Sequence, residues 1–352
     1  MDLIPLVDTL GEGPTATLFG LLTGGVFGVA AQRSRFCLRA AVVEFAHGAL
    51  GDKVAVWLLT FSTALVWVQA AQLLGLFDAA NARMMAVPGS WSGAVLGGLV
   101  FGAGMVLANG CSGRLLVLAA TGNLRSVISG LIFAVVAQMS LSGILAPLRD
   151  RLAGLWITSG GRNMDLAAAL HLPRGAGLAL GLAIAALALH LARRHRIGAA
   201  RLVFASGVGF AVALGWGLTH ALANVAFEPV QVESATFTGP SARTLMFFLD
   251  AGAVLDFDVG LVAGVFLGAL LAAAAAGELR LQGFDGPTPL RNAMIGAAMM
   301  GFGGMLAGGC AIGAGVTGGS ILAGTAWLAL CAMWAGGIVM ELALNGRRLV
   351  TA

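Results

Sequence analysis

Gly102-Ala103-Gly104-Met105-Val106-Leu107-Ala108-Asn109-Gly110-Cys111 and Gly301-Phe302-Gly303-Gly304-Met305-Leu306-Ala307-Gly308-Gly309-Cys310 carry one glycine-rich phrase ending in cysteine. The two copies stand 199 residues apart without a gap, and at that offset Pro88 meets Pro287, Gly97 meets Gly296 and Leu107 meets Leu306. Self-similarity at a fixed offset marks a duplicated architecture and has to be read before individual elements. A thiol at the same place in both halves of an apolar chain points to repeats that meet at a shared site.

The composition fixes the environment. Of 352 residues, 59% are hydrophobic and 10% charged, with a mean hydropathy of +0.92. A soluble domain carries about 25% charged residues, so this chain belongs in a lipid bilayer. Roughly 20 apolar residues span a bilayer core, and nine such stretches occur, at 14–31, 54–76, 92–109, 126–147, 175–192, 202–222, 259–276, 292–309 and 320–344. The 53 glycines include small-xxx-small series (Gly20/Gly24/Gly28, Gly98/Gly102, Gly177/Gly181), which let membrane helices approach closely. The net charge of +4 sits in short loops and forms no groove, so nucleic acid is not an expected partner. The N-terminus carries Asp2, Asp8 and Glu12 where a basic n-region would stand, so no cleavable signal peptide is expected.

With the N-terminus outside, the inner loops hold fourteen Lys and Arg residues, among them Arg193, Arg194 and Arg196. The outer loops hold six: Arg83, Arg149, Arg151, Arg162, Arg174 and Arg243. This positive-inside bias predicts a periplasmic N-terminus and a cytoplasmic C-terminus. One all-α membrane domain, 1–352, is expected: a first repeat over 14–147, a linking span at 175–192 and a second repeat over 202–344. Because the link crosses the membrane once, the halves are inverted, a hallmark of transporters whose substrate sits at the repeat interface. The stretches 110–125 and 310–319 are too polar or glycine-rich to span and read as short re-entrant helices around the Gly-Cys motifs.

Chemistry concentrates at those breaks. Gly110, Ser112 and Gly113 flank Cys111, and Gly309 precedes Cys310. Glycines free the backbone to leave the helix and present amides to an anion, while a thiol adds a weak, soft donor. Cys37 falls on Thr236 at the same offset, both next to phenylalanine; it reads equally as a transient contact or a passive interfacial residue. Cys331, inside the last span without a glycine break, reads as packing. His220 and Glu44 are the candidate proton carriers near membrane depth. No Cys or His pair stands at metal-ligand spacing and no cofactor fingerprint is visible, so neither metal nor cofactor is expected. Enzymology remains the alternative, as a membrane thiol oxidoreductase or sulfurtransferase forming a cysteine persulfide; a sensory or scaffold role would leave duplicated cysteines without a use.

Phe36-Cys37, Gly104-Met105 through Asn109-Gly110-Cys111-Ser112-Gly113, Thr236-Phe237-Thr238-Gly239-Pro240 and Leu306-Ala307-Gly308-Gly309-Cys310 resemble the YeeE/YedE family of sulfur-compound permeases over nearly the whole chain. The resemblance implies an all-helical inner-membrane protein of hourglass form that takes up thiosulfate or a related sulfur anion. It assigns Cys37, Cys111 and Cys310 to the pathway and gives Cys331 no counterpart. It also implies an association with a small TusA-like cytoplasmic sulfurtransferase.

Overall fold

In a computed structural model, residues 4–284 and 289–350 are described, the last six in backbone only; Asp2 and Pro287 lie outside this range. Thirteen helices carry the argument, numbered here α1 to α13. The first six are α1 (Glu12–Ser34), α2 (Leu38–Ala46), α3 (Asp52–Leu73), α4 (Trp91–Leu107), α5 (Ser112–Ala120) and α6 (Leu124–Leu141). α7 (Ala176–Arg194) follows. The rest are α8 (Ala199–Ala223), α9 (Thr238–Leu249), α10 (Phe257–Ala275), α11 (Leu290–Leu306), α12 (Ala311–Gly318, wound as a π-helix) and α13 (Gly324–Val350). Among the described residues nine helical spans are long and apolar enough to cross a membrane, and no strand pairs beyond isolated bridges.

Moved by 199 residues, α4 falls residue for residue on α11, and α2, α3, α5 and α6 fall on α9, α10, α12 and α13 within a few residues. The packing repeats as well. α1 lies on α10 as α8 lies on α3, and α4 lies on α13 as α11 lies on α6. Between equivalent helices the contact is antiparallel: Gly97 backs onto Gly303 and Ala307, while Gly296 backs onto Gly104 and Ala108. Each pair of partners is the other shifted by the repeat, the signature of a two-fold axis across the helices. Equivalent helices run in opposite directions across it.

Glycine makes these approaches possible. In α1 a methyl group on Gly20, Gly24 or Gly28 would strike the backbone of Phe257, Leu261 or Val265 in α10, and Gly260, Gly264 and Gly268 answer from the other side. Close backbone contact of this kind replaces the hydrophobic drive that lipid removes. Polar N-caps start the long helices. Ser90 Oγ accepts the Gly93 amide at 2.7 Å, and Asn123 and Asp256 cap α6 and α10.

The spans differ from the sequence expectation at the breaks. Three of them continue past a cysteine into a second short helix, giving the interrupted spans Glu12–Ala46, Trp91–Ala120 and Leu290–Gly318. The stretches 110–125 and 310–319 carry the short helices expected around the Gly-Cys motifs, α5 and α12. Cys331 is exposed on α13, which corrects its reading as a packing residue: α13 turns that side chain away from the protein core.

Replacing Gly24 by alanine will lower the stability of the purified protein by about 1–3 kcal/mol, through forced separation of α1 and α10. Gly25→Ala, with nothing within 4 Å of the added methyl, will be neutral or stabilising. Thermal unfolding of the two variants in detergent reads the difference.

Candidate functional site

Four short helices begin at the centre of the molecule. Cys37 is the residue before α2, Cys111 before α5, Phe237 before α9 and Cys310 before α12. The chain enters α5 and α12 through matching left-handed residues, Asn109 (φ 58°) and Gly308 (φ +77°). Glycine adopts that conformation freely and asparagine at small cost. The last turns of α4 and α11 close on Gly110 and Gly309, whose amides donate to Met105 and Gly304 at 3.0 and 2.8 Å. The chain then swings out, and each cysteine carbonyl accepts the first bond of the next helix, from Leu115 at 2.9 Å and Ala314 at 2.8 Å. Each helix start carries a partial positive charge.

The cysteines gather here. The Cys37 and Cys111 thiols are hydrogen-bonding neighbours, and Cys310 lies within electrostatic range of Cys111. Cys111 and Cys310 are fully buried and Cys37 is half-buried. The Cys310 sulfur accepts the Gly313 amide at 3.4 Å. Ser112 is buried beside Cys111 with its hydroxyl unpartnered. Gly110, Gly113 and Gly309 are buried at the turns, and Thr236 is half-buried. A side chain at Gly113 would meet the Phe237 ring, and one at Gly313 would meet Thr236. The sequence-selected residues therefore meet at one place, with Cys331 apart from them.

Two spaces approach this centre. One is a cavity of about 390 Å³ whose walls include Arg83, Arg243, Asn163, Thr236, Thr238 and Gly309. A water occupies about 30 Å³ of liquid, so the cavity has room for a small hydrated anion. The other is a cleft too narrow for water, bounded by Phe27, Phe36, Cys111, Gly113, Arg114 and Ile312. Between them stand Ile312 and Phe237, whose ring packs on Phe27 at 5.1 Å. The structure is thus open on the cavity side and closed at the aromatic pair.

Sequence reasoning missed the contribution of Arg83 and Arg243, which it used only to set orientation. Arg83, ahead of α4, and Arg243, on α9, converge on the cavity from distant parts of the chain. Glu44 caps α3: its carboxylate accepts the Val54 amide at 2.9 Å. His220 lies against the Phe77 ring at 5.5 Å. Among the described residues no three His, Cys, Asp or Glu side chains converge as metal ligands.

Paired helical halves with broken spans meeting at buried thiols define a multi-pass membrane protein of the transporter class. The chain belongs to the Sulphur transport family, whose profile matches residues 33–339. It is similar to the thiosulfate transporter TsuA of Escherichia coli (strain K12), at 28% identity over 345 residues, 90% of this chain and 91% of that protein. The thiosulfate transporter TsuA of Spirochaeta thermophila is likewise 28% identical, over 88% of this chain and 93% of its own length.

Removing the aromatic barrier will join the two spaces. In a chain with Cys37 and Cys331 replaced by serine, Phe237→Ala will speed modification of Cys111 by a charged thiol reagent by roughly tenfold or more, because thiol reaction depends on access. Timed labelling and mass spectrometry measure the rate.

Proposed function

We propose that this protein is an inner-membrane permease for thiosulfate, which passes the anion from the cavity through the paired cysteine turns. The observation that carries the reading is the alignment of cavity and thiols. Thr236 and Gly309 form part of the cavity wall, Cys310 adjoins Gly309, and Cys111 and Cys37 follow beyond the aromatic barrier. The relatives' names supply the substrate, and its chemistry suits the site. A bare dianion in a low-dielectric interior costs tens of kcal/mol, so donors have to replace its hydration throughout. Helix-start amides supply part of that replacement, and Arg114, whose Nη1 is buried without a partner in the cleft beside Cys111, supplies a further donor. Thiols donate more weakly than N–H groups, which favours brief stops and release.

In this reading Cys310, Cys111 and Cys37 contact the anion in turn, with Thr236 taking the place of Cys37 on the entry side. Gly110, Ser112, Gly113 and Gly309 supply amides, a hydroxyl and the room for close approach. The halves 14–147 and 202–344 form one membrane domain, 1–352, joined by the span 175–192. The excess of Lys and Arg in the inner loops sets the N-terminus in the periplasm and the C-terminus in the cytoplasm. The cavity then opens outward and Arg114 lies on the exit side, where a TusA-like sulfurtransferase would receive the anion.

Vesicles containing only this protein will accumulate thiosulfate with both sulfur atoms, when each is separately labelled, in a one-to-one ratio. Sulfite left outside, with label retained on the protein, would instead mean persulfide formation by a sulfurtransferase. Cys111→Ala will reduce uptake at least about a hundredfold, as expected when a positioned donor to a desolvated anion is lost, while Cys331→Ala will transport normally. Retained uptake in Cys111→Ala would remove the required thiol.

A further inference from the structure

Five charged side chains meet at the cavity wall. Arg83 Nε stands 3.7 Å from Glu233 Oε2, Arg243 Nη1 3.1 Å from Asp256 Oδ2, and Arg243 Nε 3.4 Å from Asp258 Oδ2. Both arginines face the cavity, with side chains 39% and 38% exposed. The carboxylates sit behind them, Glu233 and Asp258 at 9% and 2%. Fully ionised, the cluster has three negative charges against two positive ones. An excess of negative charge would repel a dianion from the space that leads to the thiols.

The carboxylates are not equal. Asp256 is committed to the fold, since its Oδ1 accepts the Val259 amide at 3.0 Å and caps α10. Glu233 Oε2 and Asp258 Oδ1 are buried without a hydrogen-bond partner. Thr238 adds a third unpartnered polar atom: its hydroxyl is buried, and the residue lines the same cavity. A buried polar atom without a partner is costly to leave unpaired, so the site holds unused binding capacity. Nothing in the repeat duplicates this arrangement. At the offset of 199, Arg83 corresponds to Gln282 and Arg243 to Glu44. The cationic pair therefore belongs to one mouth of the molecule only.

We propose that Arg83 and Arg243 capture the incoming anion, with the Thr238 hydroxyl as a further donor, and that Glu233 takes up a proton as the anion replaces it on Arg83. The proposal rests on the permease reading and adds its coupling ion. The proton comes from the outer solution, so the dianion enters together with one neutralising charge. The charged groups facing Glu233 are Arg83 from the loop before α4, Arg243 from α9, and Asp256 and Asp258 at the start of α10. α8 contributes the uncharged Thr219, whose hydroxyl donates to the Glu233 carbonyl at 2.7 Å; His220, next on that helix, is turned against Phe77. Burial pushes the Glu233 carboxyl above the usual carboxylate range against the pull of Arg83 and Arg243. A proton gained on binding makes affinity fall as pH rises, by about tenfold per unit while one proton is taken up.

Calorimetric titration of the purified full-length protein with sodium thiosulfate, in two buffers of different ionisation enthalpy, measures affinity and protons together. The wild type will take up about one proton per anion, on the sign given above. Glu233→Gln will bind without proton uptake and with an affinity that no longer falls with pH. Arg83→Gln and Arg243→Gln will each bind about tenfold more weakly or worse, as a lost charge-assisted bond requires. Wild-type binding with no proton uptake overturns the coupling, and that reading needs no variant to fold. Unchanged affinity in both arginine variants, checked as monodisperse by size exclusion, overturns the capture role. Absence of any thiosulfate binding by the wild type would overturn the permease reading and this inference with it.

Discussion

The antiparallel contact of α4 with α11 at Gly97, Gly104, Gly296 and Gly303 is the constraint on which the remaining architecture depends. With no hydrophobic drive between helices in lipid, association rests on close packing, and here main chain meets main chain. That contact sets the two-fold axis, and both helices end just beyond it. The antiparallel course sets the end of each helix beside the first half of its partner, Ala307 at Gly97 and Ala108 at Gly296. The chain has to turn there, and glycine at 308 with asparagine at 109 supplies the left-handed step. Two cysteines at one offset become two cysteines at one place.

Convergence of the helix starts has a direct electrostatic consequence. A short helix leaves its first amides without intrahelical partners, and Arg114 adds a positive charge in the cleft beside Cys111. Arg83 and Arg243 lie at the cavity wall, each already balanced by carboxylates. In the proposed function the symmetric core carries the anion, and the asymmetric mouth gives one face of a duplicated fold a different chemistry.

Much of this was legible because duplication leaves a regular trace. Gly97, Gly102 and Cys111 have partners at one offset, and the positions of α4 and α11 follow from that alone. Cys37 and Thr236 also meet at the offset, but that pairing did not reveal the helices that begin beside them. What the sequence concealed was nonlocal or subtle. Arg83 and Arg243 are 160 positions apart in the chain and have no equivalents in the other half, so no repeat pointed to them. Glu44 reads as an intramembrane acid until the Val54 amide is seen against it. The π-winding of α12 and the exposure of Cys331 depend on packing that hydropathy does not encode.

The central claim is that an anion enters beside Thr236 and Gly309 and moves toward the thiols. Diffraction at the selenium edge from crystals soaked in selenosulfate, which keeps the charge and shape of thiosulfate, tests it most directly. The account predicts an anomalous peak inside the cavity between Arg83, Arg243 and the Gly309 turn, displaced toward Cys310 at higher occupancy. A peak confined to the lipid-facing surface or to loops away from the cavity, with the cavity empty, would contradict it.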